Sequence, residues 1–225
     1  KEYRRQRQMC IRDSRYALRV RQAVQHDGQP QPDIACDNSA DWIAQKFQQL
    51  GLEVEIDSFQ HARSQIGKGK IGDYTMRNIM ATLPGRGPHK DQVYLLTAHY
   101  DSIASKTEGW EQQWRTMPAP GSSDNASGVA ILLETARLIR HLDLDYSVRF
   151  IAFSGEELFL YGSRYYCDLV QSQRTGLSAD QIAGVLNFDL IGHDQDGRLD
   201  IHVVYDERSK WIAQVPVSYT HLRAH

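Results

Sequence analysis

Val93-Tyr94-Leu95-Leu96-Thr97-Ala98-His99-Tyr100-Asp101-Ser102 is the stretch that decides the fold. Residues 93–98 form a short, almost unbroken apolar run, the pattern of a strand covered on both faces. The runs Ser147–Phe153 and Gly184–Phe188 repeat it. Between these runs the apolar spacing turns helical. Val129, Leu132, Leu133, Ala136 and Ile139 predict a helix over about 126–141, and a second is predicted over about 158–172. Buried strands alternating with helices predict an α/β domain: a central, mostly parallel but mixed twisted sheet with helices on both faces. In such sheets chemistry gathers at the carboxyl ends of the strands.

Towards the N-terminus, Tyr74–Leu83 reads as a strand ended by Pro84-Gly85, and Val54–Ser58 as another. Ser64–Asp73, rich in Gly and Lys, reads as an exposed loop or hairpin. Ile43, Phe47 and Leu50 predict a helix capped by Asn38 or Ser39 and ended by Gly51. Gly28, Pro30 and Pro32 make Asp27–Asp37 a loop, and Arg15–Gln25 can be a helix before it. Leu199–Tyr205 is read as a final strand.

The chain has 225 residues, of which 41% are hydrophobic and 24% charged, enough for one domain with a sizeable core. A net charge of −2 leaves no basic footprint for nucleic acid. No apolar run is long enough to span a membrane. Cys10, Cys36 and Cys167 form no C-x-x-C pair, and a Cys36–Cys167 disulfide stays open. Residues 1–14 and 215–225 resemble translated sequencing-adaptor sequence, so the domain is read as 15–214 and as incomplete at its C-terminus.

Each buried strand ends on acids or a histidine. His99 and Asp101, at i and i+2, point the same way in extended chain. A metal-ligating histidine commonly passes its other ring N–H to a carboxylate, although an H-x-D pair also fits a surface ion pair. Glu156 and Glu157 follow Gly155 after the second run; one can ligate while its neighbour acts as a general base, or both can sit at an acidic helix start. Asp189, between Phe188 and Leu190, is costly to bury unless paired, capped or coordinated. Asp124 lies in GSSDNASG, residues 121–128, where an acid can cap the following helix or meet a metal among small residues. Together His99, Asp124, Glu157 and Asp189 offer one imidazole and three carboxylates. One shared carboxylate makes a two-metal hydrolytic centre. Such donors suit Zn²⁺ and also admit Mn²⁺ or Co²⁺.

In this order, H-x-D at 99–101, D-N-A-S-G at 124–128, G-E-E at 155–157 and N-x-D-x-I-G at 187–192 resemble the co-catalytic zinc aminopeptidases. That family includes the bacterial leucyl aminopeptidases and the glutamate carboxypeptidase group. The resemblance runs from about Asp37 to Tyr205. It implies His99 and Asp189 on one zinc, Asp124 bridging to a second, Glu157 on the second, Glu156 as general base and Asp101 orienting His99. It also implies a cis peptide at Asp124–Asn125.

The expected activity is hydrolysis of an N-terminal peptide bond in a peptide or aminoacyl substrate. The loop 102–120, with Trp110, Trp114 and Met117, is read as a pocket wall or a surface lid. The family's last histidine ligand lies further on than this chain reaches, so the second ion is expected to be held poorly here. His193, His202, His221 and His225 do not fit its place. By analogy alone, relatives suggest a secreted or periplasmic home. A single-zinc acyltransferase of the glutaminyl-cyclase type is the alternative enzyme, and H-x-D argues against it. A non-catalytic receptor relative is a further alternative, and the full set of ligands up to Asp189 argues against that.

Overall fold

The computed structural model describes residues 34–61, 74–104, 121–191 and 203–212, with isolated positions 108, 109, 112, 119 and 214. The elements in chain order are α1 (Ile34–Gln49), β1 (Glu53–His61), β2 (Tyr74–Leu83), β3 (Val93–His99), α2 (Ala126–Ile139), β4 (Ser147–Phe153), α3 (Tyr161–Gln171) and β5 (Ile182–Asn187), with a 3₁₀ turn at Ala179–Gln181.

The five strands are ordered β1-β2-β4-β3-β5. β3 is parallel to both β4 and β5, with Val93 opposite Ser147 and Leu95 opposite Val185. β1–β2 and β2–β4 are antiparallel. The expected mixed sheet is therefore present, with two parallel and two antiparallel pairs rather than a parallel majority.

Side-chain alternation divides the core into two layers. Ile79, Ala81, Ala98, Val148, Phe150 and Ala152 meet Ala40, Ile43, Ala44 and Phe47 of α1 and Val129, Leu132 and Ala136 of α2. Met80, Val93, Leu95 and Ile151 meet Tyr166 and Val170 of α3 on the opposite face. The connections explain this. The chain steps from β3 to β4 through α2, then returns past β3 to β5 through α3. Crossovers of one hand in opposite directions place their helices on opposite faces. All three parallel strands thus end at one edge of the domain, where His99, the turn after Phe153 and Asp189 lie side by side.

α1 begins at Ile34, inside the segment read as loop, and Asn38 and Ser39 lie within it rather than capping it. Packing of the Ala40–Phe47 stripe overrides the weak helix propensity of Asp37, Asn38 and Ser39. The start of α3 is also later than expected, at Tyr161, because the chain first makes a turn over 157–159. Residues 203–205, the described part of the expected last strand, are not strand. Cys167 is exposed and free, which removes the Cys36–Cys167 disulfide. The expected helix at 15–25, the loop 64–73 and most of the loop 102–120, including Trp110, Trp114 and Met117, lie outside the described residues. No helix among the described residues is long and apolar enough to cross a membrane.

Candidate metal centre

His99 closes β3 and is only 3% exposed. Its Nε2 faces three carboxylates from three other parts of the chain: Asp124 at 3.0 Å, Asp189 at 3.4 Å and Glu156 at 3.7 Å. His99, Asp124 and Asp189 each offer one ligand atom, and those atoms lie within 4.8 Å of one another. Yet His99 Nε2 and Asp189 Oδ1 are buried and have no hydrogen-bond partner among the described residues. Buried polar atoms left without a partner cost free energy. Three ligand atoms that converge at ion-pair distances, two of them without a hydrogen bond among the described residues, fit a shared divalent cation between them, and one imidazole with carboxylates is a donor set that zinc accepts.

Asp124 does not cap α2. The cap is Asn125, whose Oδ1 accepts from Gly128 N at 3.0 Å, so the aspartate is released for other work. The Asp124–Asn125 peptide is cis, as the resemblance implied. Gly121 turns the chain with φ +52 and accepts Ala126 N at 2.9 Å through its carbonyl, which closes the loop beneath Asp124.

Asp101 stands beside His99, but its carbonyl, at 3.1 Å from Nδ1, is nearer than its carboxylate, at 3.7 Å. The carboxylate accepts instead from the backbone N–H groups of Glu156 at 3.1 Å and Glu157 at 3.2 Å. It therefore acts on the imidazole through charge and on the glutamate turn through hydrogen bonds. Gly155, at φ +70, lets the chain leave β4 sharply enough to present that turn.

Burial alone lowers the His99 pKa, but the nearby Asp101 carboxylate, with the charges of Glu156 and Asp189, outweighs it and brings the group up to about 9. Burial raises the Glu156 carboxyl, with Asp101, Asp189 and Asp124 adding to it and His99 opposing. Burial also raises Glu157, and Asp124 is the foremost charge acting on it. Crowded acids whose protonation is disfavoured only by one imidazole are a common mark of a functional site.

The structure thus brings His99, Asp101, Asp124, Glu156 and Asp189 together. Glu157 is adjacent, held by the same Asp101 carboxylate, but stands outside the group of three converging donors. His193, His202, His221 and His225 lie outside the described residues. Sequence reasoning missed Asn78, which is fully buried on β2 and bonds the loop carrying the two glutamates. A polar residue between Met76 and Met80 on one face of the strand was its signal.

The family model for peptidase family M28 matches residues 78–221. Aminopeptidase YwaD of Bacillus subtilis (strain 168) is 32% identical over 140 residues, 61% of this chain and 27% of that protein. A probable zinc metalloprotease of Pyricularia oryzae is 31% identical over 185 residues, 78% of this chain and 34% of that protein. The chain spans about a third of the length of the curated relatives it matches. Among solved structures, a zinc aminopeptidase from Bacillus subtilis superposes with a TM-score of 0.62 at 18% identity, covering 85% of this chain and 74% of that one. A glutaminyl cyclase from Porphyromonas gingivalis superposes with a TM-score of 0.60 at 20% identity, covering 92% and 68%. Those likenesses speak for the fold, while the match over residues 78–221 settles the lineage: this chain belongs to peptidase family M28.

Proposed function

We propose that this chain carries the metal centre of a zinc-dependent exopeptidase that hydrolyses N-terminal peptide bonds, with two ions sharing Asp124. The observation that carries the reading is the convergence of His99, Asp124 and Asp189 on a point where two buried polar atoms have no hydrogen-bond partner among the described residues. The printed names of the aligned relatives, a zinc metalloprotease and an aminopeptidase, support it.

In this reading His99 and Asp189 would hold one ion and Glu157 the other, with Asp124 available to both. Bound zinc supplies a water of lowered pKa and a polarised scissile carbonyl. Glu156 is the general base. Its carboxyl, raised by burial, is suited both to take a proton from water and to return it. The water oxygen joins the carbonyl carbon, the C–N bond breaks, and the proton held by Glu156 goes to the leaving amine. Asp101 fixes the backbone of Glu156 so that this carboxylate stays aimed at the site.

The test is release of p-nitroaniline from amino-acid p-nitroanilides by the full-length gene product, with and without chelator. Release that chelator stops and zinc restores is the expected result. Metal-dependent cyclisation of glutaminyl peptides without p-nitroaniline release would instead favour the acyltransferase, and no metal uptake at all would favour a binding protein.

A further inference from the structure

We propose that Asn78 is a positioning residue that sets where Glu156 and Glu157 stand relative to His99. The inference rests on the reading of those glutamates given above, and its geometry is independent of any metal. The loop from Ser154 to Gly162 leaves β4, which lies between β2 and β3 in the sheet. Each neighbouring strand sends one side chain to hold it. From the β3 side, Asp101 accepts from Glu156 N and Glu157 N. From β2, Asn78 accepts from Ser154 N at 3.2 Å through Oδ1 and donates to the Gly162 carbonyl at 2.9 Å through Nδ2.

Asn78 therefore grips both ends of the loop while Asp101 grips its acidic middle. The loop closes on itself with three backbone bonds of 2.9 Å: Gly162 N to Ser154 O, Tyr161 N to Gly155 O and Leu160 N to Glu156 O. The seat is tight. A Cβ on Gly162 would lie 2.5 Å from Asn78 Oδ1 and 2.3 Å from Ser154 O, and one on Gly155 would lie 2.7 Å from Met76 Sδ. Asn78 is 0% exposed, so water cannot replace its two bonds if the carboxamide is removed. An asparagine is suited to the position because it offers a donor and an acceptor on one short side chain, matching one carbonyl and one N–H.

The experiment compares Asn78→Leu, which keeps the branched shape but not the carboxamide, with Phe47→Leu, a core change in α1. Amide hydrogen exchange is followed across residues 154–162 in the metal-free chain. Metal binding is followed with Zn²⁺ against a chromogenic chelator and with the visible spectrum of Co²⁺. The expected result is faster exchange confined to the loop, an altered Co²⁺ spectrum and zinc binding weaker by about 10–100-fold for Asn78→Leu, the range for lost outer-shell support, with none of these in Phe47→Leu. If Asn78→Leu fails to fold, Asn78→Asp keeps the acceptor for Ser154 N but sets a carboxylate oxygen against the Gly162 carbonyl in place of the donor, and is read the same way. Equal effects from Phe47→Leu, or unchanged loop exchange and spectrum in the Asn78 variants, overturn the proposal. A parent chain that takes up no Co²⁺ defeats the peptidase reading instead, and loop exchange then decides the role of Asn78 alone.

Discussion

Asn125 donates its Nδ2 hydrogen to the Phe188 carbonyl at 2.8 Å. The bonded residues lie 63 apart in sequence, yet one follows Asp124 and the other precedes Asp189. A single carboxamide thus caps α2 through its oxygen and ties two candidate ligands together through its nitrogen.

Replacing Asn125 by alanine should break both links at once. The residue is 1% exposed, so the groups it satisfies are left in a dry environment. A loss of about 1–3 kcal/mol is expected from the unsatisfied buried groups. Zinc affinity should fall by about 10–100-fold, because the two carboxylates lose their common anchor. Urea unfolding and chelator competition measure the two effects. Loss of stability with unchanged zinc affinity would show that the bond serves the helix alone.

Gly128 offers a sharper probe of the same contact. A methyl group there would sit 2.4 Å from the Phe188 carbonyl oxygen and 2.6 Å from Asn125 Oδ1. Neither atom can move without disturbing Asp124 or Asp189. Gly128→Ala should cost about 1–3 kcal/mol by overpacking and weaken zinc binding. Gly51→Ala is the contrast: its Cβ would meet nothing within 4 Å, but its φ of +80 disfavours any side chain. That change should cost about 1–2 kcal/mol and leave zinc binding untouched. Equal zinc affinities in the two variants would refute the proposed coupling.

The sheet and its loaded edge were legible because buried parallel strands and α/β connections leave strong patterns. The runs at 93–98 and 147–153 could hardly be anything else, and acids directly after them had to be solvated, paired or coordinated. The N-terminus of α1 was not legible, since Asp37, Asn38 and Ser39 give the same signal as caps whether or not the helix continues past them. Nor could spacing decide what Asp124 does: the choice between capping and ligation was made by Asn125 taking the cap, which depends on the local backbone. Asn78 escaped notice because its partners, Ser154 and Gly162, lie 76 and 84 residues away. Long-range hydrogen bonds carry no periodicity.

The two adjacent glutamates should separate cleanly by substitution. Glu156→Gln keeps the shape and the backbone bond to Asp101 but cannot accept a proton. It should lower turnover of the full-length protein by about 10²–10⁴-fold, the usual worth of a general base, with bound zinc nearly unchanged. Glu157→Gln should reduce the zinc content itself. Zinc analysis alongside p-nitroanilide turnover reads both. Loss of metal from Glu156→Gln with retention in Glu157→Gln would mean that the two roles are exchanged.

The candidate centre should also respond to pH. In the metal-free chain His99 has a pKa of about 9 against an ordinary 6.5, because the surrounding carboxylates outweigh its burial. A group with a raised folded pKa lends stability that is complete below the unfolded value and is lost as pH climbs through the folded one. The metal-free chain should therefore become less stable between about pH 6.5 and 9. Zinc competes with the same proton for Nε2, so its affinity, and the stability it adds, should rise over that interval. Urea unfolding of metal-free and zinc-buffered chain at several pH values should give curves that diverge as pH increases. Parallel curves would place His99 outside the zinc site, since a histidine that ligates cannot keep its proton and its metal together.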